Sequence, residues 1–426
     1  MNDQHKLFAK LRDMTRNLMQ EGPGSATETI QKALQQAGIA AAPGDVPRAP
    51  TPGNRDGRVL HDINPPPAGK STPAAAPERP EPELHAKARA ATIVPQAPMG
   101  QVPAFVADLL QKLGQSGDGA TKPWMPGAAS REPLPDGAQF LAASFSNSAG
   151  TRQYKLYVPA SYRDDGEPVP LVVMLHGCTQ DPDDFAAGTQ MNATAERLGC
   201  LVLYPQQSTA ANSSKCWNWF NAADQVRDAG EPSIIVGMTR QIAQQYRIDP
   251  CQVYAAGLSA GGAMAAILGT TYPDVYAGVC VHSGLPYGAA TDLPSALAAM
   301  QGGMGKASRA PSTASAFKGI PIIVFHGDAD HTVNQKNGEH VLAGSASHAA
   351  VAAQRRRETG QVAGGHAFTR TIDRDGAGKP VAEHWLIHGS GHAWSGGSVK
   401  GSFTDPRGPD ATGEMMRFFA TQVRAA

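Results

Sequence analysis

The sequence predicts an α/β domain, a mainly parallel β-sheet flanked by helices, preceded by a largely disordered N-terminal extension. From about residue 138 onward, short apolar runs of strand length alternate with longer stretches of helical periodicity. This alternation is typical of a parallel sheet that is covered by helices on both faces. The residues before that point are rich in Pro, Ala and Gly instead. The change in composition predicts that one large folded domain follows an extended segment.

The strands of the predicted sheet are short. A hairpin opens the domain, because two strand-like stretches at 139–145 and 152–158 surround the turn signal Asn-Ser-Ala-Gly. Later apolar runs predict buried strands, and amphipathic stretches between them predict helices. The strand-like runs are 170–175, 200–204, 252–256, 275–281, 320–325 and 383–387. The helix-like stretches are 185–198, 233–246, 260–270 and 412–423.

The chain divides into three parts: a helical hairpin segment at 1–38, a linker at 39–135 and the α/β domain at 136–426. Apolar residues recur at helical spacing in the first part. The linker is too poor in large apolar side chains to offset the entropy of ordering it. The helices at 1–38 either dock on a partner or a polymer surface, or pack on themselves or on the main domain. The second interpretation is favoured.

Charge and hydropathy exclude several classes of function. Lys plus Arg and Asp plus Glu are equal at 37 each, which argues against a nucleic-acid-binding protein. No apolar run reaches the roughly 18 to 20 residues of a transmembrane helix. The polar start does not resemble a signal peptide, so a cytoplasmic location is predicted. None of the five cysteines forms a Cys-x-x-Cys pair, and no nucleotide-binding glycine motif occurs, so neither a metal nor an organic cofactor is expected.

The most informative stretch is the pentapeptide Gly-Leu-Ser-Ala-Gly at 257–261. An apolar strand-like run precedes it and a small-residue helical pattern follows. A Gly-x-Ser-x-Gly sequence between a strand and a helix forms a tight turn that exposes the serine hydroxyl at the edge of the sheet. The glycines are needed because side chains there would collide with the neighbouring strand and helix. Ser259 is therefore the predicted nucleophile.

A serine nucleophile needs a base, and the chain order Ser, acid, His places that base after the last predicted strand. A Gly-rich loop there presents His392, which is the favoured candidate. His388, at the end of the strand, is the nearest alternative. His384 alternates with apolar positions and is expected to serve packing. His366 and His340 lie in polar segments and are expected on the surface.

The acid should follow the strand predicted at 320–325, and two carboxylates do so. Asp330 is favoured because it lies three residues before Val333, a spacing like the Gly-x-x-Asp-x-x-Val turn of related sheets. Asp328 is the alternative and is expected to form the turn. The acid holds the tautomer of the histidine and stabilises the imidazolium, so it should be buried beside the loop of His392.

Two further groups of residues complete the predicted site. The backbone N–H groups of Cys178 and Ala260 are expected to bind the negative oxygen of a tetrahedral intermediate. The aromatic segment that contains Trp217 and Trp219 either forms a wall for substrate or packs as a lid or core segment. Besides these two tryptophans, His176 and Trp394 are candidate substrate-binding residues. His176 lies two residues before Cys178, and Trp394 lies two residues after His392.

Several motifs together resemble the poly(3-hydroxybutyrate) depolymerase family of esterases, within the α/β-hydrolase superfamily. The resemblance covers residues from about 140 to 424. It rests on Leu-His-Gly-Cys-Thr-Gln from Leu175, Cys-Trp-Asn-Trp-Phe from Cys216, Gly-Leu-Ser-Ala-Gly-Gly-Ala-Met from Gly257, Ser-Gly-Leu-Pro from Ser283, and Gly-His-Ala-Trp-Ser-Gly-Gly from Gly391.

The resemblance implies an α/β-hydrolase fold and hydrolysis of short-chain hydroxyalkanoate esters, such as oligomers or polymers of 3-hydroxybutyrate. It implies that Ser259, Asp330 and His392 form the catalytic triad and that Cys178 lies at the oxyanion site. Because many relatives are secreted, it also implies an extracellular location as the alternative, and a disulfide between Cys178 and Cys216. Two other functions remain open: a feruloyl or acetyl-xylan type carbohydrate esterase, and a polymer-granule binding protein with weak hydrolase activity.

Overall fold

The structure, a computed structural model, describes residues 134–302, 320–344 and 353–424. The helical segment predicted at 1–38 and nearly all of the predicted linker lie outside these ranges. In the described part, no helix is both long and apolar enough to cross a membrane.

Twelve strands occur in the described residues, ten of them in one sheet. The strands of this sheet are β1 (Gln139–Asn147), β2 (Gly150–Val158), β3 (Val169–Leu175), β4 (Leu201–Pro205), β5 (Ile248–Leu258), β6 (Gly278–His282), β7 (Ile322–Gly327), β8 (Gln354–Gln361), β9 (Ala367–Arg374) and β10 (Pro380–Ile387). Two short strands, β11 (Trp394–Ser395) and β12 (Thr404–Asp405), pair separately.

Seven α-helices connect these strands in the described ranges. They are α1 (Pro182–Thr189), α2 (Met191–Leu198), α3 (Gly230–Gln245), α4 (Ala260–Thr271), α5 (Leu293–Met300), α6 (Lys336–Gly344) and α7 (Ala411–Phe419). A short 3₁₀ helix, Ala222–Gln225, precedes α3.

The sheet has the strand order β1-β2-β4-β3-β5-β6-β7-β10-β9-β8. Its six central strands, β4, β3, β5, β6, β7 and β10, pair in parallel, and the outer pairs are antiparallel. The carboxyl ends of the central strands therefore lie along one edge, where ligands bind in open α/β sheets. This arrangement confirms the predicted fold class.

The core lies on both faces of the sheet. In β3, Leu171 and Val173 pack into one buried cluster, while Val172 and Met174 pack into the other. Successive side chains of a strand point to opposite faces, so a strand that is covered on both sides must be apolar throughout. This explains why the central strands appear in the sequence as continuous apolar runs.

Two expectations about the elements need correction. The helix predicted at 185–198 is two helices, because Gln190 between them adopts a left-handed conformation with φ 55°. Strands β8 and β9 were not predicted at all. Strand β8 is a largely exposed edge strand with three consecutive arginines, and it carries no alternation of apolar and polar residues from which a strand could be inferred.

A buried polar network supports the loop between β4 and α3. Glu231 accepts hydrogen bonds from Arg152 Nη2 at 3.2 Å and from Asn218 N at 2.7 Å. Gln207 accepts from Arg152 Nε at 2.7 Å and donates to Glu231 at 2.5 Å. Burial, and then the neighbouring carboxylate of Asp224, raise the pKa of Glu231 to about 7. Arg152 is thus the cation that the two buried carboxylates share.

We expect Arg152→Met to destabilise the protein by about 3 to 5 kcal/mol, because it leaves buried carboxylates without a cation. The pKa of Glu231 is already raised from 4.5, and the substitution should raise it further. When folding raises the pKa of a carboxyl, the folded protein loses stability as the pH rises toward and through that pKa. The destabilisation by Arg152→Met should therefore be larger at about pH 8 than at about pH 5. Urea unfolding at both pH values measures it.

The matched control is Arg356→Met, since the Arg356 side chain is 70% exposed beside Glu358. It should cost about 1 kcal/mol or less. Equal costs for the two substitutions, or a cost for Arg152→Met that does not grow with pH, would contradict the network.

Candidate active site

Ser259 occupies the turn between strand β5 and helix α4, with φ 57° and ψ −119°. A positive φ is uncommon for a residue that has a side chain, and such strained positions cluster at functional sites. Ser259 N donates to the backbone oxygen of His282 at 2.9 Å, and Ser259 O accepts from Ala263 N at 2.9 Å. The strand, strained turn and helix that the pentapeptide predicts are therefore present.

The glycines on either side allow this turn. A Cβ on Gly257 would collide with the backbone of Gly261, and a Cβ on Gly261 would collide with the carbonyl oxygen of Leu175. Backbone thus packs directly on backbone where β3, β5 and α4 meet. No residue other than glycine fits at either position without moving one of these elements.

Asp330 and His392 lie together after strands β7 and β10, which pair in parallel. His392 Nδ1 is 2.7 Å from Asp330 Oδ2. Because a carboxylate accepts, the proton of the imidazole is on Nδ1, and Nε2 is left as an acceptor. This is the tautomer that a general base for a serine requires.

The carboxylate of Asp330 is fully buried and well supplied with donors. Its Oδ1 accepts from the backbone N–H groups of Thr332 at 2.9 Å and Val333 at 2.8 Å. His326 Nε2 lies 3.4 Å from Oδ2. Burial opposes the charge, but the interactions with His392 and His326 outweigh it and hold the pKa of Asp330 well below its ordinary range. Asp330 is therefore ionised at any pH at which the protein would work.

The two alternatives from the sequence, Asp328 and His388, pair with each other. His388 Nδ1 is 2.7 Å from Asp328 Oδ2, and Nε2 is 3.0 Å from Thr369 Oγ1. Both side chains are partly exposed, at 40% and 30%. Asp328 also accepts from Gly389 N at 2.6 Å, so this pair closes the start of the loop that carries His392.

Further hydrogen bonds anchor that loop. Ser390 Oγ donates to Asp405 at 2.9 Å, and Ser390 O accepts from Ala329 N at 3.1 Å. His366, which was expected on the surface, is largely buried: its Nε2 lies 2.8 Å from Asp405 Oδ2, and its Nδ1 lies 2.8 Å from His388 O. The loop is thereby fixed on the side that precedes Gly391 and His392.

The loop after strand β3 lies beside the turn of Ser259. Leu175 pairs with Gly257, and a Cβ on Gly177 would lie 3.6 Å from Ser259 Cβ. Cys178 follows Gly177 directly. Ala260 is the first residue of helix α4, so its N–H belongs to the helix terminus, where N–H groups lack intrahelical acceptors. Both proposed oxyanion donors thus come from segments next to Ser259.

A disulfide joins this loop to the segment before helix α3. Cys178 and Cys216 are bonded across 38 residues of chain, with Cα atoms 4.2 Å apart. The buried network supports the same contact, since Gln207 donates its backbone N–H to His176 Nε2 at 3.1 Å and its side chain to Cys216 O at 2.8 Å. Burial lowers the pKa of His176 to about 4, which keeps its ring neutral and able to accept.

All four candidate substrate-binding side chains are buried, three of them almost completely, which argues against direct contact of those three with a substrate. Trp217 donates from Nε1 to His176 O at 3.1 Å, and Trp394 donates to Thr412 at 3.0 Å. The side chains of His176, Trp217 and Trp394 have at most 1% of their surface exposed and present none to a substrate. These side chains pack in the core beneath the site. Trp219, 6% exposed and edge-on to Phe220, stays a prediction.

Comparison with known proteins finds similarity to one esterase family. Residues 152–361, just under half of the chain, match the family model described as Esterase PHB depolymerase. Over this range the chain is similar to that family of α/β-hydrolases. The matched range contains Ser259 and Asp330 and ends before His392.

The relatives are known esterases. The chain is 32% identical over 257 residues to the poly(3-hydroxyalkanoate) depolymerase C of Paucimonas lemoignei, covering 59% of this chain and 60% of the relative. It is 32% identical over 154 residues to feruloyl esterase B of Neurospora crassa, covering 35% of this chain and 50% of the relative. An acetyl xylan esterase from Aspergillus awamori has the same fold, with a TM-score of 0.50 and 18% identity over 67% of this chain and 99% of its own.

The sequence analysis did not identify two buried histidines that lie beside the candidate site. His326 contacts Asp330, and His282 contacts Ser259 through its backbone. Each lies within an apolar strand, where a single histidine gives no signal that separates a packed residue from one that supports a site. In the described ranges, no group of three or more His, Cys, Asp or Glu side chains is arranged to hold a metal ion.

We expect one thiol of the oxidised protein to react with an alkylating reagent. Cys178 and Cys216 are bonded, and burial raises the pKa of the Cys200 thiol to about 12 and that of Cys280 further still. Thiolate is the reactive form, so neither buried thiol should be labelled in folded protein. Cys251, half-buried, is the remaining site.

Peptide mapping of protein alkylated without reductant measures this, and Cys251→Ser should abolish the labelling. Alkylated Cys178 and Cys216 in the folded, unreduced protein would show that the bond is absent.

Proposed function

We propose that this protein is a serine-dependent carboxylic ester hydrolase that acts on short-chain hydroxyalkanoate esters, with Ser259 as nucleophile, His392 as base and Asp330 as acid. The observation that carries the proposal is the hydrogen bond of 2.7 Å between His392 Nδ1 and the buried Asp330, at the same sheet edge as the strained Ser259. The substrate class is supported by the depolymerase from Paucimonas lemoignei to which the chain is similar.

In the proposed reaction, Ser259 Oγ attacks the ester carbonyl carbon while His392 Nε2 takes its proton. The carbonyl oxygen becomes negative, and the N–H groups of Cys178 and Ala260 are proposed to bind it. Collapse of the intermediate expels the alcohol, which receives the proton from His392. Water, deprotonated by the same histidine, then attacks the acyl-enzyme; the bond to Ser259 Oγ breaks, the acid is released, and His392 returns the proton to Ser259.

Asp330 has two tasks in this scheme. Its hydrogen bond with Nδ1 fixes the imidazole tautomer, and its negative charge stabilises the imidazolium that forms during each proton transfer. The two backbone donors on Oδ1 keep the carboxylate in place while the charge of His392 changes.

A carbohydrate ester, feruloyl or acetyl, is the second candidate substrate. It is supported by the similarity to feruloyl esterase B of Neurospora crassa. Similarity to the family does not separate the two substrate classes, because substrate choice depends on loops around a shared catalytic arrangement.

The location and the N-terminal segment are further parts of the proposal. The disulfide between Cys178 and Cys216 supports the extracellular alternative over the predicted cytoplasmic one, because such bonds persist in oxidising compartments. Docking of residues 1–38 on a polymer surface is retained as a proposal, for which sedimentation of the full chain with polymer is the test.

Ser259→Ala and His392→Ala should each lower turnover on a soluble 3-hydroxybutyrate ester by at least about 10²-fold, since each removes a group that acts in the transition state. Thermal unfolding should stay close to that of the wild type. Rates on hydroxybutyrate oligomers, feruloyl esters and acetylated sugars, measured with wild type and Ser259→Ala, identify the substrate class. Hydrolysis by Ser259→Ala at the rate of the wild type would show that Ser259 is not the nucleophile.

Asp330→Asn should lower turnover by about 10²- to 10⁴-fold, because an amide in that place favours the wrong tautomer of His392. Asp328→Asn is the matched control, a carboxylate of the same turn that pairs with His388 instead. It should change turnover by less than about fivefold, because the residue does not contact the reacting groups. A larger loss of turnover in Asp328→Asn than in Asp330→Asn would show that Asp328, and not Asp330, is the acid.

A further inference from the structure

His282, the last residue of strand β6, lies between the segments that carry the three proposed triad residues. Both it and the following Ser283 are fully buried. Strand β6 pairs with β5, which ends before Ser259, and with β7, which ends before Asp330. The position is therefore adjacent to both strand ends.

Two hydrogen bonds connect His282 to the other elements. Its backbone oxygen accepts from Ser259 N at 2.9 Å. Its ring Nε2 accepts from Ser395 N at 3.0 Å, and Ser395 lies three residues after His392. One residue thus bonds the backbone of the nucleophile turn with its own backbone, and the backbone of the His392 loop with its side chain.

The ring of His282 also contacts the segments that carry Asp330 and His392. The imidazole stacks on Phe325 of strand β7, with centroids 5.6 Å apart and planes at 14°. It also stacks on Trp394, with centroids 5.0 Å apart and planes at 26°. Phe325 precedes Asp330 by five residues and Trp394 follows His392 by two, so the ring is held between the segments that carry the two.

The contacts also determine the tautomer. Ser395 N donates, so Nε2 must be unprotonated, and the ring proton is on Nδ1, 3.1 Å from Ser283 Oγ. Burial lowers the pKa of His282 to about 3, with a smaller contribution from neighbouring His326 and His392. The ring is therefore neutral and remains an acceptor at ordinary pH.

We propose that His282 is a positioning residue for the ester hydrolysis proposed above: its backbone oxygen orients the turn of Ser259, and its Nε2 holds the loop of His392 in register with that turn. The inference rests on the proposed function for its kinetic consequence. Its geometric content, an unprotonated Nε2 bonded to Ser395 N, stands independently of any activity.

A second buried histidine, without such a hydrogen bond on its Nε2, offers the comparison. His384, on strand β10, is also buried, and its Nε2 has no hydrogen-bond partner in the described structure. Replacing either ring by phenylalanine keeps an aromatic side chain in the core. Only at position 282 does the change leave a buried backbone N–H, that of Ser395, without its acceptor.

The experiment compares His282→Phe, His282→Gln and the control His384→Phe with wild type on a soluble 3-hydroxybutyrate ester. His282→Phe should lower kcat by about 10- to 100-fold with KM within about twofold, since a small displacement of reacting groups costs rate without removing substrate contacts. His282→Gln, whose side-chain oxygen replaces Nε2 as acceptor, should recover kcat to within about fivefold of wild type. His384→Phe should keep kcat within about threefold, although its unfolding midpoint falls comparably.

Three outcomes would overturn the proposal: a kcat for His282→Phe within threefold of that for His384→Phe, a Gln variant no better than the Phe variant, or a loss expressed in KM alone. Failure of the proposed function is a separate result. It would appear as wild-type protein without hydrolysis that depends on Ser259, and the geometric part would then be decided by spectroscopy.

That measurement uses wild-type protein, so it applies even if His282→Phe does not fold. The ¹⁵N resonances of His282 should show a protonated Nδ1 and an unprotonated Nε2, unchanged between about pH 5 and pH 9, while a solvated histidine titrates in that range. A protonated Nε2, or a titration of His282 within that range, would exclude the bond from Ser395 and with it the proposal.

Discussion

Direct contact between backbones where strands β3 and β5 meet helix α4 is the constraint on which the site depends. Gly261 lies against the carbonyl oxygen of Leu175, and Gly257 lies against the backbone of Gly261. This contact allows the chain to turn at Ser259 with a positive φ and brings the loop after β3 beside it. Ser259 and the proposed oxyanion donors are therefore neighbours because of one packing contact, not because of side-chain interactions between them.

The remaining parts of the site are held by polar groups, most of them buried. On the side of Cys178, the network around Arg152 and Glu231 supports the disulfide-bonded loop through Gln207. On the other side, backbone donors hold Asp330, and Asp328 with Asp405 holds the loop of His392. Buried polar groups of this kind cost free energy unless every partner is present, so they specify one arrangement of the loops.

The turn after strand β7 shows how two similar carboxylates receive different tasks. Asp328 and Asp330 are two residues apart, yet each contacts a different histidine of the same loop. The first pair is partly exposed and closes the loop, whereas the second is buried and polarises an imidazole. The two carboxylates differ in chemistry because Asp330 is buried and receives additional hydrogen bonds. Both differences come from the surroundings of the residue, not from its type.

The sequence by itself determined the fold class and the tight turn at Ser259 between a strand and a helix, because these follow from local periodicity and glycine spacing. Local patterns did not reveal the edge strand β8, whose register is set only by pairing with β9. Nor did they separate supporting aromatic residues from exposed ones: Trp217 and Trp394 resemble substrate-binding residues in sequence and are buried in the fold. The contacts of His282 with Ser259, Phe325 and Trp394 join residues from distant parts of the chain. Only the tertiary structure decided these features, because burial and hydrogen-bond partners are properties of the packed molecule and not of a stretch of chain.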